Sequence, residues 1–163
     1  MTIGERIAAL DARERELNFA HFDANDGWRL GCQLRDRASA LQAPVAIEVI
    51  RGQTRLFFAS LNGATMDNSQ WTRRKIAVAL RFERSSYVVA LNFAQLDLTL
   101  DAVGLSASDY ALSGGALPIS VAGTGVVGAV AVSGLAEEED HEMVLAALSD
   151  LMVEQSLTPD RRP

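Results

Sequence analysis

Apolar residues recur at helical spacing from the first turn of the chain. Ile3, Ile7, Leu10 and Leu17 share one line with Glu14, while alanine, arginine and glutamate fill most other positions. Residues 3–18 therefore read as an amphipathic helix made of good helix formers. The period breaks after Asn18. Asp23, followed three positions later by Asp26, has the form of an acidic capping box. It opens a second helix over about residues 25–41, with Trp28, Gly31, Leu34, Ala38 and Leu41 on one side. Glycine at position 31 costs about 1 kcal/mol of helix propensity, which the close approach of another backbone would explain.

Pro44 ends that pattern, and the β-branched run VAIEVI (residues 45–50) reads as a strand. Arg51-Gly52-Gln53-Thr54 is a tight connection, so RLFFAS (55–60) returns as its antiparallel partner. Two strands alone are marginal and require a larger sheet or covering helices. From Asp67 to about Glu83 the period is again 3.6, with Trp71, Lys75, Val78 and Phe82 near one face. A lysine inside that stripe is the oddity of the segment. In residues 87–98, Tyr87, Leu91, Ala94 and Leu98 suit a helix, whereas Val88 and Val89 suit a strand. Residues 99–113 are irregular, with a short helical turn expected around Asp109. LPISV (117–121) and the VVGAVAV run (126–132) read as two antiparallel strands, because the short turn between them cannot make a parallel crossover. Residues 137–155 form a helix that begins with four consecutive acids, which the helix dipole favours. The result is one α+β domain over residues 1–155 and a flexible tail from 156 to 163.

Composition narrows the function classes. At 163 residues and 48% hydrophobic the chain holds one substantial core, and its net charge of -6 disfavours nucleic acid as a partner. No membrane span or secretory segment is read, and the lone Cys32 is a buried small hydrophobe without a disulfide partner, so a cytoplasmic protein is expected. Charge is segregated: residues 1–87 carry thirteen basic and ten acidic side chains, residues 88–163 two and eleven. The basic cluster on the 67–87 segment suits an anionic small molecule, a solvated helix face or the acidic segment of another subunit.

Candidate chemistry is sparse. Gly123-Thr124-Gly125 lacks the spacing of a dinucleotide fingerprint and leads into a strand, so it is a turn or a backbone loop facing a ligand. Gly128 inside a strand signals close contact by another backbone or by a flat ligand. His21 reads as structural, and His141 as a capping or inter-subunit hydrogen-bonding residue, a group that coordinates a ligand or iron, or an acid-base group. No metal site is expected from two histidines and one cysteine. Trp71, Arg74 and Lys75 share neighbouring helix positions, and with Tyr87 they offer stacking and charge neutralisation to a flat anionic ligand, or core and interface packing.

WTRRK (71–75), LRFERSSY (80–87), GGALPI (114–119), GTGVVGAVAVSGL (123–135) and EDHEMV (139–144), in this order, resemble the heme-degrading-domain-containing proteins related to GlcG and heme-binding HbpS. The resemblance spans roughly residues 17–151. It implies a profilin-like fold with a five-stranded antiparallel sheet, which places a hidden strand in residues 86–98. It also implies a homo-oligomer built from dimers and a pocket for heme or another small ligand. The candidate ligand contacts are then Trp71, Arg74, Lys75, Tyr87, Gly123, Gly125, Gly128 and His141. Three functions follow as expectations: an oligomeric small-molecule-binding protein, a scaffold in which Arg73 and Arg74 meet the acidic 137–142 segment of another subunit, and an enzyme acting on a small metabolite.

Overall fold

The computed structural model describes residues 1–158. Both expected N-terminal helices form, each started by side chains that close on their own backbone. In α1 (Ile3–Glu14) Thr2 accepts from the Glu5 N–H at 3.2 Å and Glu5 accepts from the Thr2 N–H at 2.7 Å. In α2 (Ala24–Ala40) Asp23 and Asp26 make the same reciprocal pair at 3.0 and 2.8 Å. Each exchange satisfies amides that an isolated helix start leaves unpaired.

The strands are β1 (Ala46–Arg51), β2 (Thr54–Ser60), β3 (Ala116–Val121) and β4 (Gly125–Ser133), in the order β2-β1-β4-β3 with every neighbouring pair antiparallel. A bulge between Val49 and Ile50 interrupts the first hairpin. Leu56 and Phe57, although consecutive, both reach α2, where a Cβ on Gly27 or Gly31 would lie 2.4 or 2.1 Å from them. Gly31 thus clears space for a phenylalanine ring rather than for a backbone. The buried line of α2 is Leu30, Leu34 and Ala38, while Trp28 and Leu41 are exposed.

Helices α3 (Met66–Phe82), α4 (Ser86–Gln95) and α5 (Glu137–Leu157) complete the fold, with one 3-10 turn at Asp101–Val103. α2 and α5 cover one sheet face through Leu30, Leu34, Val49, Val130, Leu148 and Leu151, all fully buried and each contributing roughly 1.5–3 kcal/mol. α3 covers the other face, where Ile76 and Ala79 meet Ala116, Ala129 and Ala131. α1 packs on α4 through Ile7 and Leu10 against Tyr87 and Val88. Among the described residues no helix is long and apolar enough to cross a membrane. α5 extends two residues past its expected end; of the expected tail, residues 159–163 lie outside the described residues.

Among the described residues the sheet has four strands, not five. Residues 86–95 are helical because Ser85 caps them, accepting from the Val88 N–H at 3.1 Å, and because Tyr87, Val88, Val89 and Phe93 are all buried by surrounding elements. A short apolar run buried on several sides carries no period that separates strand from helix. Beside β3 sits only a one-residue parallel bridge: the Phe19 N–H donates to the Ser120 carbonyl at 2.9 Å, and the Phe19 carbonyl accepts from Ala122 at 2.8 Å.

Candidate functional site

Where β4 ends, α3 and the first turn of α5 converge, and the lysine of the α3 stripe finds its partner. Lys75 Nζ donates to Asp140 Oδ2 at 3.0 Å and to the Val132 carbonyl at 3.2 Å. Both side chains are essentially fully buried, at 3% and 1% exposure. Asp140 also accepts from the backbone N–H groups of Gly134 and Leu135, at 3.3 and 3.0 Å. Burial pushes the Lys75 ammonium down and the Asp140 carboxyl up, while their mutual attraction and hydrogen bond oppose both shifts. Gly115, at φ +128°, makes the fit feasible: a Cβ there would stand 2.4 Å from the Val132 oxygen and 2.8 Å from Lys75 Nζ.

Lys75 and Asp140 border a cavity of about 260 Å³ with Asn68, Trp71, Ser113 and Ser133. Arg74 does not enter it. Its guanidinium lies over the Trp71 ring at 4.4 Å, beside the carbonyls of Gln70 and Ala107. The basic triplet thus divides its work, with Arg73 reaching the Ser108 carbonyl at 2.9 Å.

One position along α5, His141 is fully buried and neither ring nitrogen has a hydrogen-bond partner among the described residues. Its ring leans on Tyr87 at 5.2 Å, and Nε2 stands 3.6 Å from a Glu14 oxygen. Burial lowers its pKa to about 4 and raises that of Glu14, which accepts from the Ser85 hydroxyl at 2.6 Å. The Arg6 guanidinium lies over the same Tyr87 ring, 5.3 Å from its centroid. Glu14 also lines a larger cavity, of about 570 Å³, with Asp11, Glu83, Arg84 and Pro118.

The expected contacts therefore separate into four places. Trp71, Arg74 and Lys75 come together; Tyr87 and His141 form a sealed neighbour. Gly123 and Gly125 sit in the β3–β4 turn with nothing near their Cβ positions. Eight residues of β4 put that turn about 25 Å from Ser133. Gly128 makes room for the β1 backbone, its Cβ position lying 2.0 Å from the Ile50 oxygen. The acidic segment meets cations of its own chain: Glu138 pairs with Arg6 at 2.5 Å, Glu142 with Arg13 at 2.6 Å and Asp140 with Lys75. Asp140, Asn68, Ser113 and Ser133 were missed as site residues. One signal was available, because Lys75 is the chain's only lysine and all its other basic side chains are arginine.

A family model described as haem degrading protein HbpS-like matches residues 22–149. The chain belongs to the HbpS-like family. A UPF0303 protein of Paraburkholderia phymatum is 46% identical over 149 residues, 91% of this chain and 90% of the relative. One from Burkholderia mallei is 48% identical over the same shares. Among solved structures, Ybr137w superposes with a TM-score of 0.85 at 28% identity, covering 93% of this chain and 90% of that one. The structure titled PduOC:heme complex gives 0.67 at 19% identity, covering 78% and 93%, a likeness of fold.

The described residues of this single HbpS-like chain do not fit a heme. The 260 Å³ cavity is smaller than the roughly 300–1,000 Å³ of sites that enclose drug-sized ligands. The larger cavity sets three carboxylates, Asp11, Glu14 and Glu83, against two guanidiniums, Arg15 and Arg84, of which Arg84 is already paired with Asp11, and no imidazole or sulfur borders it to hold an iron. His141 is sealed behind Tyr87 and Glu14.

Proposed function

We propose that this HbpS-like protein binds a small anionic molecule of few non-hydrogen atoms in the Trp71–Lys75 cavity. The carrying observation is the state of the lone lysine: its ammonium spends two N–H groups on Asp140 and Val132, and the third has no partner among the described residues while the residue borders the cavity. Trp71 supplies a flat wall, Arg74 a positive charge stacked on that wall, and Asn68, Ser113 and Ser133 supply polar groups that orient a ligand. A cytoplasmic setting belongs to the same proposal, supported by the lone unpaired Cys32. Ligand-observed NMR with a panel of two- to four-carbon carboxylates tests the site. At least one should bind, and Trp71→Ala should weaken it ten-fold or more with cooperative unfolding retained. No binding by the panel, or affinity unchanged by the substitution, overturns the assignment.

Self-association is a second reading with its own support. β2 leaves one edge unpaired among the described residues, and Trp28 and Phe58 beside it are 60% and 37% exposed. Light scattering should then report an oligomer whose mass falls when Phe58 is replaced by lysine; a monomer at every concentration excludes this reading.

A further inference from the structure

A chain that uses arginine at every other basic position keeps its single lysine at one buried place, beside a carboxylate and on the wall of a cavity. Arginine could supply charge there but could not give up a proton; lysine can. We propose that Lys75 is a carbonyl-capturing amine that condenses with the oxo group of a small 2-oxo acid held in the Trp71 cavity, forming a Schiff base. This rests on the binding reading above and names the ligand class.

The step balances without any outside oxidant or reductant. Lys75 passes one proton to Asp140 across their 3.0 Å hydrogen bond, and the freed lone pair on Nζ attacks the carbonyl carbon. The C–N bond forms as the carbonyl π pair moves to oxygen, and a proton moves from nitrogen to that oxygen to give the carbinolamine. Asp140 then returns its proton to the hydroxyl, the C–O bond breaks, and water leaves with an iminium at Nζ. Lysine ammonium and carbonyl have become iminium and water, and Asp140 ends as it began.

Three features favour this chemistry over a purely structural ion pair. Glycine at 115 lets the amine sit between the Val132 carbonyl and Asp140 at the cavity wall, since any Cβ would come within 2.8 Å of Nζ. Ser113 and Ser133 border the same cavity and can donate to a developing alkoxide. Burial opposes the charged form of both partners, which eases the initial proton transfer.

The test uses the whole wild-type protein, incubated with glyoxylate or pyruvate and sodium cyanoborohydride, followed by intact mass and peptide mapping. With one lysine, only Nζ of Lys75 and the α-amine can be trapped. The expected result is a saturable reductive adduct on the Lys75 peptide, at least ten-fold above that at Met1 and suppressed by lactate, which has the carboxylate but no 2-oxo group. Asp140→Asn should slow trapping ten-fold or more, provided it unfolds cooperatively; the wild-type result does not depend on that variant. No Lys75 adduct with either oxo acid overturns the inference, as does an adduct that neither saturates nor yields to lactate. If both oxo acids bind by NMR but neither is trapped, the capture chemistry is wrong and the binding reading stands. If neither binds nor is trapped while another carboxylate of the panel binds, the inference again falls alone.

Discussion

Asp140 and His141 are consecutive residues on one helix, equally hidden from water, and they solve burial in opposite ways. Asp140 meets a counter-charge and two backbone N–H groups, and it borders a cavity. His141 meets an aromatic ring and a distant carboxylate oxygen, with no hydrogen bond to either nitrogen among the described residues. A buried charge that is paired and hydrogen-bonded can persist and do chemistry. A buried imidazole without partners stays neutral. Depth alone does not mark a site; the partner and the adjoining space do.

The largest effect should come from dividing the pair. Lys75→Ala leaves Asp140 buried without its counter-charge and should cost about 3–5 kcal/mol in urea unfolding, whereas replacing both by Met and Leu should recover most of it. A loss under about 1 kcal/mol for the single variant would erase the contrast with His141.

Acidification probes the other member. The unfolded histidine takes a proton near the ordinary imidazole value of 6.5 and the folded one at about 4, so His141 lowers stability as pH falls through that window. The loss reaches on the order of 3 kcal/mol at the acid end. Glu14 and Asp140, whose folded pKa values are raised, act in the opposite direction, so the measure is wild type minus His141→Leu. That difference should be near zero or favour the variant at pH 7, and favour it increasingly toward pH 4. Equal slopes from chemical denaturation at several pH values would show that the imidazole is not held neutral.

Gly115→Ala should cost roughly 1–3 kcal/mol and perturb the Lys75 contacts, because the position combines φ +128° with close oxygen and nitrogen neighbours. Thermal unfolding and the Lys75 trapping yield both report it. The smallest effect belongs to an exposed pair on the same acidic segment: Arg13→Gln removes a bridge whose partners are 52% and 45% exposed. It should cost less than about 1 kcal/mol, and that cost should fade in roughly 1 M salt.

Much of the architecture was legible because it is local. The Asp23–Asp26 box, the stop at Pro44, the Arg51–Thr54 turn and the acidic start of α5 each declare themselves within a few residues. In residues 86–98 the helical spacing of Tyr87, Leu91, Ala94 and Leu98 pointed the right way, and the fifth strand implied by the resemblance, together with Val88 and Val89, displaced it. Of the candidate site, the odd lysine, Trp71 and Arg74 were visible on one helix face. Asp140 was not, because it lies 65 positions away and is delivered by a different element.

Outside residues 86–98, local patterning alone set the element boundaries to within a few residues, the antiparallel class and the presence of a charged group where an apolar one belonged. Those depend on hydrogen bonds and side-chain spacings that span one to four residues. Only packing decided that Lys75 is paired, that His141 has no partner among the described residues, that Gly123 and Gly125 sit at the far end of β4 and that Gly128 faces the β1 backbone. Those outcomes depend on which elements meet at the end of β4, and only packing of the whole sheet against its helices sets that meeting.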